Sequence, residues 1–361
     1  MRASRVPTTR KTSLLDVARQ AGVSLGTASR VINQHPSVSQ AKRVRVQQAI
    51  DALGYVPDKV AQSMRSHRSM TFACVMRDFM VPVLSSFVDA MQREVEVHGF
   101  SLMVASSYHD TQRELSLLKG FEQRRIDGLV IASSSETDAD LLGAMRSVNF
   151  PVVLIDRDAP EHLDRVMINH AQGVRDAVHH LASLGHQAIA LITGDPDLHP
   201  TRHRLQGYRQ GMRECQLSVK SSWIRAVSFS PDVGYDETLR LLDGVHPPTA
   251  IIAGGSALLP GVLRAARERH LRIPQDLSVI AGADSDLARL SEPAITAIRW
   301  GHDELGRAAG QFLISRLHDE SLAAQQHQVD AELILRASCA PPTSRQATAK
   351  PSVRRTRQTP R

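Results

Sequence analysis

The sequence predicts an all-α helix-turn-helix headpiece followed by a two-lobed α/β core built on parallel sheets. Three observations predict it. A compact helical pattern runs from residue 13 to about 56, apolar strands alternate with amphipathic helices from residue 70 onward, and a basic head and tail flank an acidic body. Residues 1–70 carry 12 Lys and Arg against 3 Asp and Glu, and residues 341–361 carry 6 against none. The stretch between them, 71–340, carries 26 against 34. Ends of this kind suit a polyanionic partner, and the body does not. At 361 residues the chain has room for two or three domains.

Residues 1–12, basic and polar, read as a flexible arm. Residues 13–57 read as the three-helix head: Leu14, Leu15, Val17 and Ala18 recur at helical spacing, then Val31 and Ile32, then Val44, Val46, Ile50 and Leu53. Residues 58–69 form a second helical patch and linker after Pro57. The core spans 70–340. Its strand candidates are TFACVM, FSLMVA, DGLVIA, PVVLI, RVMI, AIALIT, WIRAV, TAIIA, LSVIAG, ITAI and AELILRA. Helical patterns fall between most of them, at 84–98, 111–125, 137–148, 171–185, 202–216, 232–243, 256–270 and 302–317. So many strands suit two open sheets better than one, and ligands of such folds sit at the carboxyl ends of the strands. Residues 341–361 hold Pro, Ser, Thr and Arg with almost nothing apolar, and read as a disordered basic tail.

Several classes of function find no support. Cys74, Cys215 and Cys339 lie too far apart for a disulfide framework or a zinc site, and a cytoplasmic protein with isolated thiols is expected. The amino terminus lacks the apolar stretch of a secretory signal, and no run approaches membrane-spanning length. His179, His180, His199 and His203 invite a metal reading. Pro200 interrupts their spacing, however, so solvated surface histidines and no metal are expected. No GxSxG, P-loop or dinucleotide fingerprint occurs, so neither catalysis nor a cofactor is implied.

The head carries the sharpest signal. Ser13 can cap a first helix, Gly22 supplies a break, and Ser24 caps a second helix over about 25–33. A turn this short sets two helices at a steep angle. The second helix exposes Thr27, Ser29, Arg30 and Asn33 while Ala28, Val31 and Ile32 can pack inward. Small hydroxyls and forked donors at a helix start suit base edges and phosphates of double-stranded DNA. A polar face on a solvated three-helix domain is the alternative, and the charge asymmetry argues against it.

The stretch from Leu14 to Ser66, with DVA, AGVS, TASRVIN and LGYVPDKVAQS, resembles the headpiece of the lactose/galactose repressor (LacI/GalR) family of bacterial transcription regulators. RRIDGLVIA, PVVLIDR and LGHQAIALITG extend the resemblance to about residue 340, nearer the gluconate-repressor branch than the lactose branch. It implies DNA contacts from Leu14, Ser24, Leu25, Gly26, Thr27, Ser29, Arg30, Asn33 and Lys42. Leu25 and Gly26 stand where the family usually reads bases. Gly26 has nothing to read with, so Ser29 and Arg30 are expected to discriminate. The resemblance also implies a hinge helix in the minor groove, with Ala61, Met64 and Arg65 in the small-apolar-basic arrangement and Met64 as wedge.

For the core the resemblance implies a periplasmic-binding-protein-like effector cleft. Val83 and Leu84 stand where the family often has aromatics. Arg202, with Arg204 second, stands in the region of the family's ligand-binding arginine, suited to a carboxylate or paired hydroxyls. Phe229 matches a stacking position, and Asp284, with Asp286 as fallback, a carboxylate that accepts from ligand hydroxyls. Gly255 and Ser256 replace an Asn-Asp pair, which puts a neutral pyranose in doubt, and Asp156 and Arg157 sit at a strand end near the cleft. The implied function is a homodimeric, sequence-specific repressor on a pseudo-palindromic operator, switched by a sugar or sugar acid. An effector-independent regulator, and less so a sugar-binding receptor, remain as alternatives.

Overall fold

The computed structural model describes residues 12–32, 35–55, 68–79, 83–158, 160 and 162–343. The chain separates into two compact units, Met1–Ser69 and Met70–Arg361. Asn33, the hinge residues Ala61, Met64 and Arg65, and the tail beyond Thr343 lie outside the described residues.

The first unit contains α1 (Leu14–Gln20), α2 (Leu25–Ile32) and α3 (Gln40–Leu53). Ser13 and Asp16 form a reciprocal capping box on α1, satisfying amide donors that a helix start leaves open. Ser24 accepts from the Thr27 amide at 3.2 Å and so caps α2. Between them Gly22 takes φ +60°, a left-handed conformation that glycine adopts without steric cost. The three helices close on Val17, Ala18, Ala28, Val31, Val46 and Ala49.

The second unit holds two six-stranded sheets. The first is built from β1 (Thr71–Met76), β2 (Ser101–Ser106), β3 (Gly128–Ile131), β4 (Val152–Ile155), β5 (Asp164–Ile168) and β11 (Gln326–Val329), in the order β11-β5-β4-β3-β1-β2. The second uses β6 (Ile189–Thr193), β7 (Ile224–Ala226), β8 (Ala250–Ala253), β9 (Ser278–Ala281), β10 (Thr296–Trp300) and β12 (Ala331–Ile334), in the order β12-β10-β9-β8-β6-β7. The central strands β3, β4, β6, β8 and β9 are buried throughout, as continuous apolar runs covered on both faces should be. The expectation of parallel sheets holds with one correction: β12 runs antiparallel to β10. The strand β11, Gln-His-Gln-Val, is not among the strands the sequence predicts, because its polar, partly exposed residues carry no strand-like apolar pattern.

Helices α4 (Val83–Val97), α5 (Thr111–Arg124) and α6 (Ala139–Ser147) follow the early strands. Then come α7 (His170–Ser183), α8 (His199–Glu214), α9 (Pro231–Leu242), α10 (Leu259–Glu268), the short α11 (Asp286–Leu290) and α12 (His302–His318). The helices α4 and α12 pack together, as do α7 with α8 and α9 with α10. The chain passes between the lobes three times, near Asn169, Gly301 and Asp330. Two crossings are tied to each other: the Asn169 amide donates to the Val329 carbonyl at 2.9 Å, and its side-chain Nδ2 to Asp330 at 2.9 Å.

Candidate functional site

In the head, the start of α2 presents a bare, solvent-facing surface. Leu25 is 45% exposed, Gly26 and Arg30 are exposed, and Thr27 and Ser29 are half-buried. The Ser24 hydroxyl meets that of Thr27 at 2.9 Å, so these two also order the helix start. A Cβ on Gly26 would meet nothing closer than 4.0 Å, so neither packing nor φ demands glycine there. Lys42 is exposed on α3, whereas Leu14 is half-buried against the head's core and so has a packing role as well.

In the core, the carboxyl ends of strands from both sheets converge. Arg77 follows β1, Ser133 and Glu136 follow β3, and Asp156 and Arg157 follow β4 in the first sheet. Gly194, Phe229 and Gly255 follow β6, β7 and β8 in the second, and α8 supplies His199, Thr201, Arg202 and Arg204. Phe229 lies on the backbone of both glycines: a Cβ on Gly194 would fall 2.1 Å from its ring, and one on Gly255 2.6 Å. The expected absence of polar side chains at Gly255 therefore has a physical counterpart, since an aromatic ring fills the space a side chain at 255 would need. The Arg77 and Arg204 guanidinium carbons lie 5.2 and 5.4 Å from the centre of that ring, within cation–π range.

Asp156 is the centre of the cluster. It adopts φ +53°, a conformation uncommon for a residue with a side chain, and such strain gathers at functional sites. Its Oδ2 meets His170 Nε2 at 2.7 Å, and its Oδ1 lies 3.9 Å from His199 Nε2. Burial opposes ionisation of Asp156, yet the His170 ring, His199 and Arg157 hold its pKa well below the usual carboxylate range. Burial and the nearby Arg204 charge push His170 down to about 4 against the pull of Asp156, so at neutral pH a neutral imidazole donates to a carboxylate. Burial also depresses Arg77 to about 9, helped by Arg157, and Arg204 to about 10. Among the described residues, the buried atoms Asp156 Oδ1, Arg157 Nη2, Thr201 Oγ1 and Arg204 Nη1 have no hydrogen-bond partner. Each such group costs on the order of 1–3 kcal/mol unless a ligand or water meets it.

The structure separates the two arginines left open by the sequence. Arg202 Nη2 donates to Glu136 and to Asp158, each at 2.5 Å, so α8 reaches across to the loops of the first sheet and its charge is already met. Arg204 is 6% exposed and has no such carboxylate partner among the described residues. Asp284 is held by Arg336 at 2.7 Å and Arg289 at 3.3 Å. Asp286 is largely exposed at the start of α11. Leu84 lines a separate hollow of about 310 Å³ with Met76, Phe79 and Val88. Val83 opens α4, and its side chain lies outside the described residues. Ser256 is half-buried after β8.

Other site residues escape a reading of the sequence. Arg77, Glu136, His170 and Thr201 carry no local motif, although Arg77 and Glu136 follow strand ends, which is the one signal that could have found them. His199 is a correction. The sequence predicts a solvated surface residue, but His199 is buried and meets Asp158 at 2.9 Å, because α8 starts inside the cleft. Of the other histidines of that group, His179 is exposed and bonds Glu214 at 2.6 Å, whereas His180 and His203 are half-buried and His203 stacks on His199.

Comparison with known proteins matches residues 13–58 to the family described as bacterial regulatory proteins, lacI family, and residues 178–339 to a periplasmic binding protein-like domain. The HTH-type transcriptional regulator DegA of Bacillus subtilis (strain 168) is 30% identical over 92% of this chain and 99% of its own length. The HTH-type transcriptional repressor PurR of Klebsiella pneumoniae (strain 342) is 30% identical over 91% and 97%. Among solved structures, the lac repressor dimer bound to operator and the anti-inducer ONPF superposes with a TM-score of 0.79 at 26% identity, covering 92% of this chain and 100% of that one. A complex of the transcriptional regulator CelR with cellobiose gives 0.70 at 28%, covering 91% and 100%.

Proposed function

Because the chain belongs to the lacI family of bacterial regulatory proteins, we propose that it is a homodimeric repressor of a pseudo-palindromic operator, switched by a small metabolite in the cleft of its core. One observation carries this reading: a capped helix-turn-helix head is joined, in one chain, to a two-lobed core whose strand ends meet at buried, partly unpartnered polar groups. The start of α2 enters the major groove, where Leu25 offers only apolar contact and Arg30 a forked donor. Two copies of the head supply the two half-sites. In the core, Arg204, Phe229 and Asp156 hold the ligand, while Arg202 positions Glu136 and Asp158 and bridges the lobes.

Ligand binding changes how the lobes close about their three crossings, and a coupling of roughly 1–3 kcal/mol between cleft and head suffices for a useful switch. No helix among the described residues is long and apolar enough to cross a membrane.

The test begins with selection of bound fragments from genomic DNA and footprinting of the winner. A protected, roughly two-fold symmetric site is expected, with Arg30→Ala lowering its preference over scrambled DNA by roughly 10- to 100-fold, the size of a single good pairing with a base. Unchanged preference in Arg30→Ala would remove that residue from base reading, and no enriched fragment at all would refute the repressor assignment.

A further inference from the structure

The connection between α2 and α3 fixes an exposed side chain that the packing of the head does not use. His35, Pro36 and Ser37 are exposed, while Val38 turns into the head's core. His35 is nevertheless held at three points. Its amide donates to the Arg30 carbonyl at 2.8 Å, and its own carbonyl accepts from Arg43 Nη2 at 2.5 Å. Its ring Nδ1 lies 2.9 Å from the Ser37 hydroxyl and accepts from the Ser37 amide at 3.3 Å.

A backbone amide can only donate, so Nδ1 is the acceptor and the ring carries its proton on Nε2. The two nitrogens face opposite sides of the ring. The Nε2–H therefore points away from Ser37, and it has no partner among the described residues. Arg43 is the clamp of this connection. Its Nε donates to the Val38 carbonyl at 3.1 Å while Nη2 holds His35, so its guanidinium is engaged within the loop. Lys42 beside it is exposed, as is Arg30 at the other end of the connection. The free donor of His35 thus sits between the two exposed cations expected to meet DNA.

Ordering an exposed side chain costs conformational entropy, and the benefit of holding a donor ready comes when a partner meets it. Along a duplex the commonest acceptors are phosphate oxygens, which position a protein without reporting sequence. We propose that His35 donates from Nε2 to a backbone phosphate of the bound DNA, with Ser37 and Arg43 as positioning residues. This rests on the reading of the head as a DNA binder and adds an uncharged contact to its cationic ones.

The experiment measures binding of the full chain to the selected operator and to a scrambled duplex over a range of salt, with phosphate ethylation interference on the operator. His35→Ala is expected to weaken binding to both duplexes alike, by roughly 2- to 10-fold, the size of one neutral hydrogen bond. Its slope of log K against log salt should match the wild type, because an uncharged donor releases no counterion. One ethylation-sensitive phosphate in each half-site should no longer matter to it. His35→Gln, whose amide can donate from a similar place, should recover most of the affinity. Should His35→Ala fail to fold, His35→Phe keeps a ring without the donor and carries the same comparison. Arg43→Met should lose the same phosphate with its slope unchanged, whereas a slope shallower by about 0.9 would show that Arg43 itself meets phosphate and overturn its positioning role.

Unchanged affinity in both donor-free variants overturns the proposal, as does a loss confined to the operator or a shallower slope in His35→Ala. A wild type that binds operator no better than scrambled DNA would refute the repressor reading instead, and the His35 comparison would still be decided on the scrambled duplex.

Discussion

Asp156 and His170 show how one pair of side chains couples the cleft to pH. Burial first, and the Arg204 charge second, lower the folded pKa of His170 to about 4, below the ordinary 6.5 of an unfolded chain. The folded state therefore binds fewer protons than the unfolded state between these values, and stability is lost as pH falls from about 6.5 towards about 4. His302, lowered to about 4 mainly by burial, acts in the same direction. Asp156 adds almost nothing in that window, because its depressed folded pKa and its ordinary unfolded value of 3.8 both lie below it. Protonating the buried His170 ring on acidification therefore weakens the fold. Melting curves at pH 7 and pH 5 should show the drop, and His170→Gln should have a visibly smaller one. An equal drop in both proteins would assign the acid sensitivity elsewhere.

Among the elements, the close helix pairs set the positions of the cleft residues. The helices α7 and α8 touch at Gly207, where a Cβ would fall 2.1 Å from the Ala171 carbonyl oxygen. That close approach fixes the helix carrying His199, Thr201, Arg202 and Arg204 against the helix that begins with His170. A methyl group there must push backbone away, and overpacking of this kind costs about 1–3 kcal/mol. Gly207→Ala is expected to lower the denaturation midpoint accordingly and to weaken ligand binding while leaving the separately packed head folded. An unchanged midpoint would mean that the helix pair tolerates the shift. The same close approach explains why the sequence showed α8 but not its role: helical periodicity reports which face is apolar, not which backbone lies beneath it.

For the molecule as a whole, charge is distributed by function. The head carries its cations on exposed faces, Arg30 and Lys42 among them, whereas the core keeps several arginines inside. Beyond Thr343 the chain carries six more cations and no acid. Removing residues 344–361 should make DNA binding less steeply dependent on salt, with a slope of log K against log salt that falls by up to about 0.9 for each phosphate the tail neutralises. Fluorescence anisotropy with operator and scrambled duplexes measures both slopes, and parallel lines for the two proteins would show that the tail touches no phosphate.

The head was legible by itself because its determinants are local. Ser13, Gly22 and Ser24 cap and break helices through atoms a few residues away, and Ala28 and Val31 turn inward by period alone. The alternation of strands and helices in the core was legible for the same reason. Only the tertiary structure decided which of Arg202 and Arg204 is engaged by protein carboxylates, because Glu136 and Asp158 lie 66 and 44 residues from Arg202 in sequence. It also decided that β11 is a strand, since that segment is ordered by pairing with β5 and not by its own polar sequence. It placed Arg77 and Arg204 over the ring of Phe229 as well, a convergence of elements from two sheets. Local sequence sets which residues form an element. Burial and charge at the cleft depend on what other elements bring to it, and no local pattern records that.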